Sequence, residues 1–289
     1  MPGMMGLAVK DLATGMCLER NAEQRFPTAS IFKIPIMVEL FRQIHDGLIG
    51  LDDRYRPHGG ICRHGTGVIK NLPCETEFSL GDLCRLMIGQ SDDIATDLIL
   101  EAIGLESVNR TLDRLGFHNT RVSMPIGRWH YHMVGMGSIP ISERNNKLLE
   151  SRLETGQIDF GSLPFTDSLQ NNVTSAIDMA VMLEKIYQGR LISDCASAEM
   201  LDMLKCCEHR GMIPRYLRPE IQVAHKIGQS SRIRGDVGIV LLPDHPLIIS
   251  ALSIAPEPGN QRPGREVISQ ISRRVVEALY PNAVIDNSD

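Results

Sequence analysis

The hydrophobic periodicity of this chain is strand-like at both ends and helix-like in the middle, and this change constrains the fold most strongly. Residues 6–10 and 16–19 flank a turn in which Gly15 supplies a positive φ, so they are predicted to form a β-hairpin. Near the other end, three strands are predicted at residues 222–227, 236–242 and 247–253. Apolar residues at helical spacing then predict a helix over residues 265–279.

The residues between these strands have helical periodicity. Residues 31–46 place Ile34 and Val38 on one face, as an amphipathic helix requires. Ser79 begins another helix, with Asp82 three residues later as its capping-box partner. Further helices are predicted at residues 92–103, 105–115, 174–188 and 196–207.

This order predicts an α+β fold with an antiparallel sheet, flanking helices and an all-helical lobe. Strands from both ends share the sheet, so the α/β lobe is expected to comprise residues 1–28 and 209–289. The helical lobe is expected at residues 29–208. Together they form a single domain, and a ligand site is expected between the lobes.

Charge and composition exclude several classes of protein. A net charge of -5 over 289 residues gives no basic footprint for nucleic acid. No apolar run approaches the roughly 18 residues of a membrane span, so no membrane partner is expected. The seven cysteines are odd in number and lack CxxC spacing, which favours free thiols, a reducing cytoplasm and no metal site. No signal peptide is visible, but one removed earlier would place the protein in the periplasm or outside the cell.

The sequence Ser30-Ile-Phe-Lys33 has the spacing of a nucleophile and its base. A serine at a helix start lies among free backbone N–H groups and near the positive end of the dipole. Lys33, three residues later, is expected on the same face within reach of the hydroxyl. A neutral lysine can accept the serine proton. The alternative is a capping serine followed by an incidental lysine, since this spacing is common by chance.

Two further motifs occur in a characteristic order with this one. Ser91-Asp92-Asp93 follows about 60 residues after Ser30, and Lys226-Ile227-Gly228 ends a predicted strand. The order SxxK, SDN, KTG is that of class A β-lactamases and penicillin-binding proteins. The chain resembles this family over nearly its whole length, including residues 172–180, 209–215 and 235–240. The resemblance implies the β-lactamase/transpeptidase-like fold.

The resemblance also implies a set of catalytic roles. Ser30 would attack a carbonyl, and Lys33 would act as the general base or orient one. Ser91, helped by Lys226, would relay the proton to the leaving nitrogen. No metal or organic cofactor is implied.

The residues after the third motif would bind the substrate. The backbone N–H groups of Ser30 and of Gln229, which follows Gly228, would form the oxyanion hole. Arg234 stands where the family has an arginine that helps to bind a substrate carboxylate, whereas Arg232 is expected on a solvated surface.

Three departures from the family pattern bear on the substrate. Asp93 replaces an asparagine, and an ionised carboxylate only accepts hydrogen bonds and favours a protonated Lys33. Ile227 replaces a threonine that helps to hold the substrate carboxylate, which makes this strand edge apolar. The glutamate that activates the deacylating water has no counterpart in residues 123–128.

The long segment 123–172 is the hardest part of the chain to interpret, although residues 144–154 have helical character. Its glutamates, Glu143, Glu150 and Glu154, are expected to be solvated. The sequence Arg128-Trp-His-Tyr-His132 either lines the pocket and supplies a histidine base, or anchors the loop.

The expected function is formation of an acyl-enzyme at Ser30 with a β-lactam or related amide, followed by hydrolysis. The partner is then a small molecule with an amide, lactam or ester carbonyl. One alternative is an amidase, esterase or acyltransferase for a different substrate, favoured by Asp93 and Ile227. Another is a penicillin-binding sensor that is acylated without turnover, favoured by the missing glutamate.

Overall fold

The computed structural model describes residues 3–61, 64–256 and 262–285, and these form two compact units. One unit comprises Met1–Ile31 and Thr174–Asp289, and the other comprises Phe32–Val173. The described strands are β1 (Met4–Asp11), β2 (Cys17–Arg20), β3 (Arg25–Pro27), β4 (Arg54–Tyr55), β5 (Phe78–Ser79), β6 (Val173–Ser175), β7 (Val223–Gln229), β8 (Ile233–Val240) and β9 (Leu247–Ile254). The described α-helices are α1 (Lys33–His45), α2 (Leu80–Gly89), α3 (Asp93–Ile103), α4 (Leu105–Leu115), α5 (Ile126–Met133), α6 (Glu143–Glu154), α7 (Ala176–Tyr187), α8 (Asp194–Lys205) and α9 (Arg262–Leu279).

The first unit contains a five-stranded antiparallel sheet in the order β2-β1-β9-β8-β7. Strands from both ends of the chain therefore lie side by side, and the prediction of a shared antiparallel sheet is confirmed. The hairpin turn has Gly15 at φ 75°, and the turn between β8 and β9 has Asp244 at φ 61°. Both residues belong to the types that tolerate the left-handed region, so local turn chemistry sets these two connections.

The first unit has a larger helical share than the sequence suggested. α7 packs against β1, β8 and β9, and α8 packs against β7. On the sheet, Ile227 and Val240 share a buried apolar core with Ile268 and Val276 of α9. Residues 29–31 and 174–208 thus belong to the unit that contains the sheet, and not to the helical lobe in which they were expected.

The second unit is built around α1, which is buried along most of its length. Ala29–Phe32 form a 3-10 turn, so the α-helix begins at Lys33 and not at residue 31. Its N-cap position is Phe32, which makes no side-chain capping bond. The capping box of α2 is present, because the Ser79 hydroxyl accepts from the Asp82 N–H while Asp82 accepts from the Ser79 N–H.

The segment 123–172 contains one helix that the sequence analysis did not predict and one that it did. The first is α5, whose start is held by Asp97: its carboxylate accepts hydrogen bonds from the backbone of Ile126 at 2.7 Å and of Gly127 at 2.9 Å. The second is α6, close to the helical stretch expected at residues 144–154. Among the described helices, none is long and apolar enough to cross a membrane.

A buried carboxylate links α1 to α4 inside the second unit. Glu39 is inaccessible to solvent and accepts hydrogen bonds from Arg42, Gln43 and Thr111 at 2.7–2.8 Å. Burial alone would raise the pKa of Glu39, but these hydrogen bonds and the charge of Arg42 bring the pKa below the ordinary glutamate value.

We predict that Glu39→Gln lowers the free energy of unfolding by about 1–3 kcal/mol at pH 7, because a charge-assisted hydrogen bond to Arg42 is lost. With the folded-state pKa lowered, the carboxylate stabilises the protein above the pKa of unfolded glutamate, about 4.3, and this contribution is lost as the pH falls below it. Urea denaturation at pH 7 and at pH 4 measures both effects. The exposed Glu277→Gln serves as the control. Equal stability of the two variants at pH 7 would contradict the prediction.

Candidate active site

Ser30 lies in the first unit, in a stretch of strained and closely packed backbone. The preceding residue, Ala29, has φ 42°, a left-handed conformation that costs a residue with a Cβ of order 1 kcal/mol or more. A Cβ added to Gly228 would lie 2.1 Å from the carbonyl oxygen of Thr28. Only glycine therefore allows the edge of β7 to approach the chain just before the serine. This contact supports the expectation that β7 and the Ser30 backbone cooperate in binding a carbonyl.

Lys226 and Ile227 are neighbours on β7 with different surroundings. Lys226 is completely buried, and its Nζ lies 3.3 Å from the carbonyl oxygen of Ile227. Ile227 is 7% exposed and packs in the core of the first unit with residues such as Ile213 and Leu217. Successive side chains of a strand point to opposite faces, which explains the difference. Ile227 thus packs in the core of the first unit, and the apolar substrate-binding edge expected from the sequence stays a prediction.

Arg234 provides a buried cation with spare hydrogen-bonding capacity. It is 5% exposed, and its guanidinium donates to the carbonyl oxygens of Ser230 and, at 2.5 Å, of Ile233. Its Nε has no partner among the described residues. Burial, with a smaller effect of Arg265, lowers the pKa of Arg234 to about 10, so the side chain remains charged at neutral pH.

Arg265 adds a second positive charge beside Arg234, and it donates to the Gln229 side chain at 3.3 Å. No acidic residue in the described part of the chain forms an ion pair with either arginine. Arg232 instead donates to the carbonyl oxygen of Ala255 at 2.7 Å. The Arg234 region therefore carries unpaired positive charge among the described residues, and its role in binding a substrate carboxylate stays a prediction.

The second unit holds the other motif residues, and they cluster around Lys33. The Nζ of Lys33 lies 2.7 Å from the carbonyl oxygen of Ser91, 3.1 Å from its Oγ and 2.7 Å from Asp93 Oδ1. Lys33 has no exposed surface and the Asp93 side chain is 4% exposed, so this is a fully buried ion pair. Ser91 has φ 57°, which turns its carbonyl and hydroxyl towards the same ammonium.

A short glycine-rich loop, residues 65–67, covers the Asp93 carboxylate. Asp93 Oδ2 accepts a hydrogen bond from the Thr66 N–H at 2.8 Å, and the Thr66 hydroxyl donates to the Ser91 carbonyl at 2.6 Å. Gly65 has φ 104°, and a Cβ there would lie 2.1 Å from Asp93 Oδ2. The loop can close over the carboxylate only because this residue is glycine.

Asp93 is occupied by protein groups on both of its oxygens. Burial would raise its pKa, but the charges of Lys33 and His130 and the hydrogen bonds from Lys33 and Thr66 bring the pKa below the ordinary aspartate value. The expected direct role of Asp93 in substrate binding is therefore less well supported than a role in holding Lys33.

His130 is the member of the Arg128–His132 stretch that approaches this cluster. Its Nε2 lies 3.9 Å from Asp93 Oδ2, and its ring centroid lies 5.7 Å from that of His64. Burial outweighs the attraction of Asp93 and lowers the pKa of His130 to about 4. Its Nδ1 has no hydrogen-bond partner among the described residues. His130 is thus a neutral imidazole at pH 7, the form that can accept a proton.

The other residues of that stretch anchor the loop. The Tyr131 hydroxyl donates to Asn146 at 2.7 Å, and Arg128 donates to the carbonyl oxygen of Ile139 at 2.6 Å. Trp129 is 2% exposed. The two interpretations of this stretch therefore apply to different residues. Arg128, Trp129 and Tyr131 anchor the loop, whereas His130 contacts the Lys33–Asp93 cluster.

The glutamates of the long segment are accessible to solvent. Glu143 and Glu150 line a cavity of about 540 Å³, and Glu150 lies 3.6 Å from His64 Nδ1. Glu154 is exposed on the same helix, α6. Asp97, which sequence reasoning did not single out, is buried, and burial raises its pKa to about 7 despite hydrogen bonds from Gly127 and Ile126. No sequence pattern identifies it, because its partners lie about 30 residues away.

The structure describes the two groups of motif residues within their own units, and their assembly into one site stays a prediction from the sequence. Across residues 3–61, 64–256 and 262–285, no three His, Cys, Asp or Glu side chains lie together in the way a metal site requires.

Solved structures with the same fold include two kinds of protein. A β-lactamase from Sphaerobacter thermophilus is 25% identical, with a TM-score of 0.77 over 96% of this chain and 91% of its own. PBP-A is 24% identical, with a TM-score of 0.78 over 97% of this chain and 91% of its own. A mutant of PBP-A was solved as an acyl-enzyme complex with penicillin G. The prediction of a β-lactamase/transpeptidase-like fold is confirmed.

Relatives at the sequence level are distant. A β-lactamase from Streptomyces lavendulae is 30% identical over 129 residues, which span 43% of this chain and about two fifths (41%) of that enzyme. The β-lactamase VEB-1 from Pseudomonas aeruginosa is 21% identical over 93% of this chain and 83% of its own length. A family model described as the β-lactamase enzyme family matches residues 1–279. The chain therefore belongs to the β-lactamase enzyme family.

Proposed function

We propose that this protein is a serine hydrolase that forms an acyl-enzyme at Ser30 with a β-lactam or a related amide. The observation that carries the proposal is the buried cluster of Lys33, Ser91 and Asp93. Burying the charged Lys33 side chain costs folding free energy. Buried ionisable groups of this kind are commonly found at functional sites, and Lys33 stands three residues after a serine in a strained turn. The family membership and the relatives named β-lactamase support the same reaction class.

In the proposed reaction, the Ser30 oxygen bonds to the carbonyl carbon while the Ser30 hydroxyl proton passes to Lys33, the proposed general base. The Ser91 hydroxyl, in contact with Lys33 Nζ, delivers a proton to the leaving nitrogen as the C–N bond breaks. This leaves an ester at Ser30 and a free amine. A water molecule then cleaves the ester to the carboxylic acid and restores the serine.

Lys33 and Asp93 form a buried ion pair, and this pair positions the lysine for the first step. Asp93 Oδ1 lies 2.7 Å from Lys33 Nζ and holds it beside the Ser91 hydroxyl, which lies 3.1 Å away. The substrate carboxylate is proposed to bind near Arg234, whose Nε lacks a partner among the described residues.

A second candidate function is acylation with little turnover, as in a sensor or an acyltransferase. It is favoured by residues 123–128, which contain no acid, and by the exposure of Glu143 and Glu154. An amidase or esterase for a different substrate uses the same acyl-enzyme chemistry and differs only in the compounds that react. Turnover separates these candidates, since a sensor releases one equivalent of product and stops.

We predict that Ser30→Ala lowers the hydrolysis rate of a chromogenic cephalosporin at least about a thousandfold, because no other group replaces the nucleophile. The absorbance of the cleaved cephalosporin measures the rate. Ser151→Ala, at an exposed serine of α6, is the matched control and should retain the parental rate. Full activity of Ser30→Ala would refute the assignment of the nucleophile.

We predict that Asp93→Asn lowers the free energy of unfolding by about 3 kcal/mol or more, because Lys33 is left buried without its counter-charge. Urea denaturation at pH 7 measures the loss. Glu101→Gln removes an exposed carboxylate from the same helix, α3, and should leave the stability unchanged. A stability of Asp93→Asn that matches the parent would contradict the role of Asp93 in holding Lys33.

We predict that His130→Asn slows deacylation about a hundredfold while the rate of acylation changes little, because a neutral imidazole beside the cluster is the proposed acceptor for the water proton. Burst and steady-state phases, measured on the same substrate, separate the two steps. His132→Asn tests whether any histidine of α5 has this effect, and it should not. An unchanged steady-state rate for His130→Asn would transfer the role to another group, with Glu150 as the next candidate.

A further inference from the structure

The first unit contains a cysteine, a histidine and an aspartate arranged in series, none of which is assigned a role in the acyl-enzyme reaction. Cys207 follows α8, His225 lies on β7 and Asp236 lies on β8. Cys207 and His225 line the same small cavity, and the His225 side chain acts on the pKa of the Cys207 thiol. His225 Nδ1 lies 2.8 Å from Asp236 Oδ1. The order nucleophile, imidazole, carboxylate is the arrangement that activates a thiol.

The histidine and the aspartate are rigidly held. Asp236 Oδ2 accepts a hydrogen bond from the Ile213 N–H at 2.9 Å, and both residues are at most 1% exposed. Gly238 lies opposite His225 on the neighbouring strand, and a Cβ there would lie 2.3 Å from His225 Cβ. With Nδ1 directed to Asp236, the remaining ring nitrogen is the one available to the thiol.

Cys207 is the member of the series that solvent reaches. It is partly exposed, and both Cys207 and His225 line a cavity of about 120 Å³. Lys205 and Arg210 line the same cavity and add positive charge. A cavity of this volume accommodates a reagent of a few atoms.

The charged groups around the series favour a thiolate paired with an imidazolium. Burial would raise the pKa of Cys207, but the hydrogen bond and charge of His225, with the charge of Lys226, lower it. Burial would lower the pKa of His225, but Asp236 and Cys207 raise it to about 10. The negative charge of Asp236 raises the pKa of Cys207 and so opposes formation of the thiolate. His209 also interacts electrostatically with Asp236 and His225.

We infer that Cys207 is a second nucleophilic site, at which a small peroxide oxidises the thiolate to a sulfenic acid. The sulfur attacks one oxygen of hydrogen peroxide, and the O–O bond breaks. The S–OH bond forms, and the departing hydroxide takes the proton of the His225 imidazolium and leaves as water. Sulfur loses two electrons, the peroxide gains them, and His225 ends neutral.

The experiment treats the protein with hydrogen peroxide at pH 6 in the presence of dimedone, which traps sulfenic acids, and quantifies the adducts by peptide mass spectrometry. Two variants separate the adjacent thiols, Cys206→Ser and Cys207→Ser. The exposed Cys206 is the matched control, since its sulfur contacts only the Asp202 carbonyl among the described hydrogen bonds. Trapping at Cys207 is expected to be at least tenfold faster than at Cys206.

Asp236→Asn tests the series itself, and it should bring trapping at Cys207 within about twofold of that at Cys206. Circular dichroism checks that this variant is folded, and the parent protein in urea should show equal rates at the two thiols. Equal rates in the native parent protein would overturn the inference. So would a folded Asp236→Asn protein with undiminished trapping.

Discussion

The buried ion pair between Lys33 and Asp93 is the interaction on which the rest of the second unit's chemistry depends. Removing two charges from water is expensive unless each finds close, well-directed partners. Here the ammonium has Asp93 and two oxygens of Ser91, and the carboxylate has the Thr66 N–H as well. The glycine-rich loop, the left-handed Ser91 and the start of α3 all serve this one arrangement. A substitution at any of them should disturb the position of Lys33.

In the first unit, as at the glycine-rich loop of the second, a glycine allows two segments of the chain to pack closely. Gly228 allows β7 to lie against the carbonyl of Thr28, and Ala29 carries strain just before Ser30. Arg234 is held as a buried cation without an acidic partner among the described residues. Strain and unpaired charge are destabilising in isolation, and both are commonly found where a ligand will be bound. Each unit thus has features that cost folding free energy, such as backbone strain or buried charge, at or beside the residues that the motifs indicated.

Much of the fold was predictable because its elements follow local rules. The strands of the sheet are alternating or continuously apolar, and the cap of α2 is set by Ser79 and Asp82 within one turn. The helix α5 was missed because its start depends on Asp97, a residue far away in the sequence. The burial of Ile227 was not predicted for a related reason, because strand pairing decides which face of the sheet this residue occupies.

The site was predictable in its residues and less so in its electrostatics. The motif order indicated Lys33, Ser91 and Asp93, and the structure brings these three together. The loop at Thr66 and the approach of His130 could not be foreseen, because they arise from contacts between segments about 30 residues or more apart. The catalytic roles remain proposals that follow from this geometry.

Intact-protein mass spectrometry after mixing with penicillin G tests the central claim most directly. The account predicts a single adduct with the full mass of the penicillin, since the ring opens without losing atoms, and peptide mapping should place it on Ser30. The lifetime of this adduct then distinguishes a hydrolase from a sensor. An adduct on any other residue would contradict the account, and so would hydrolysis of penicillin that continues unchanged in Ser30→Ala.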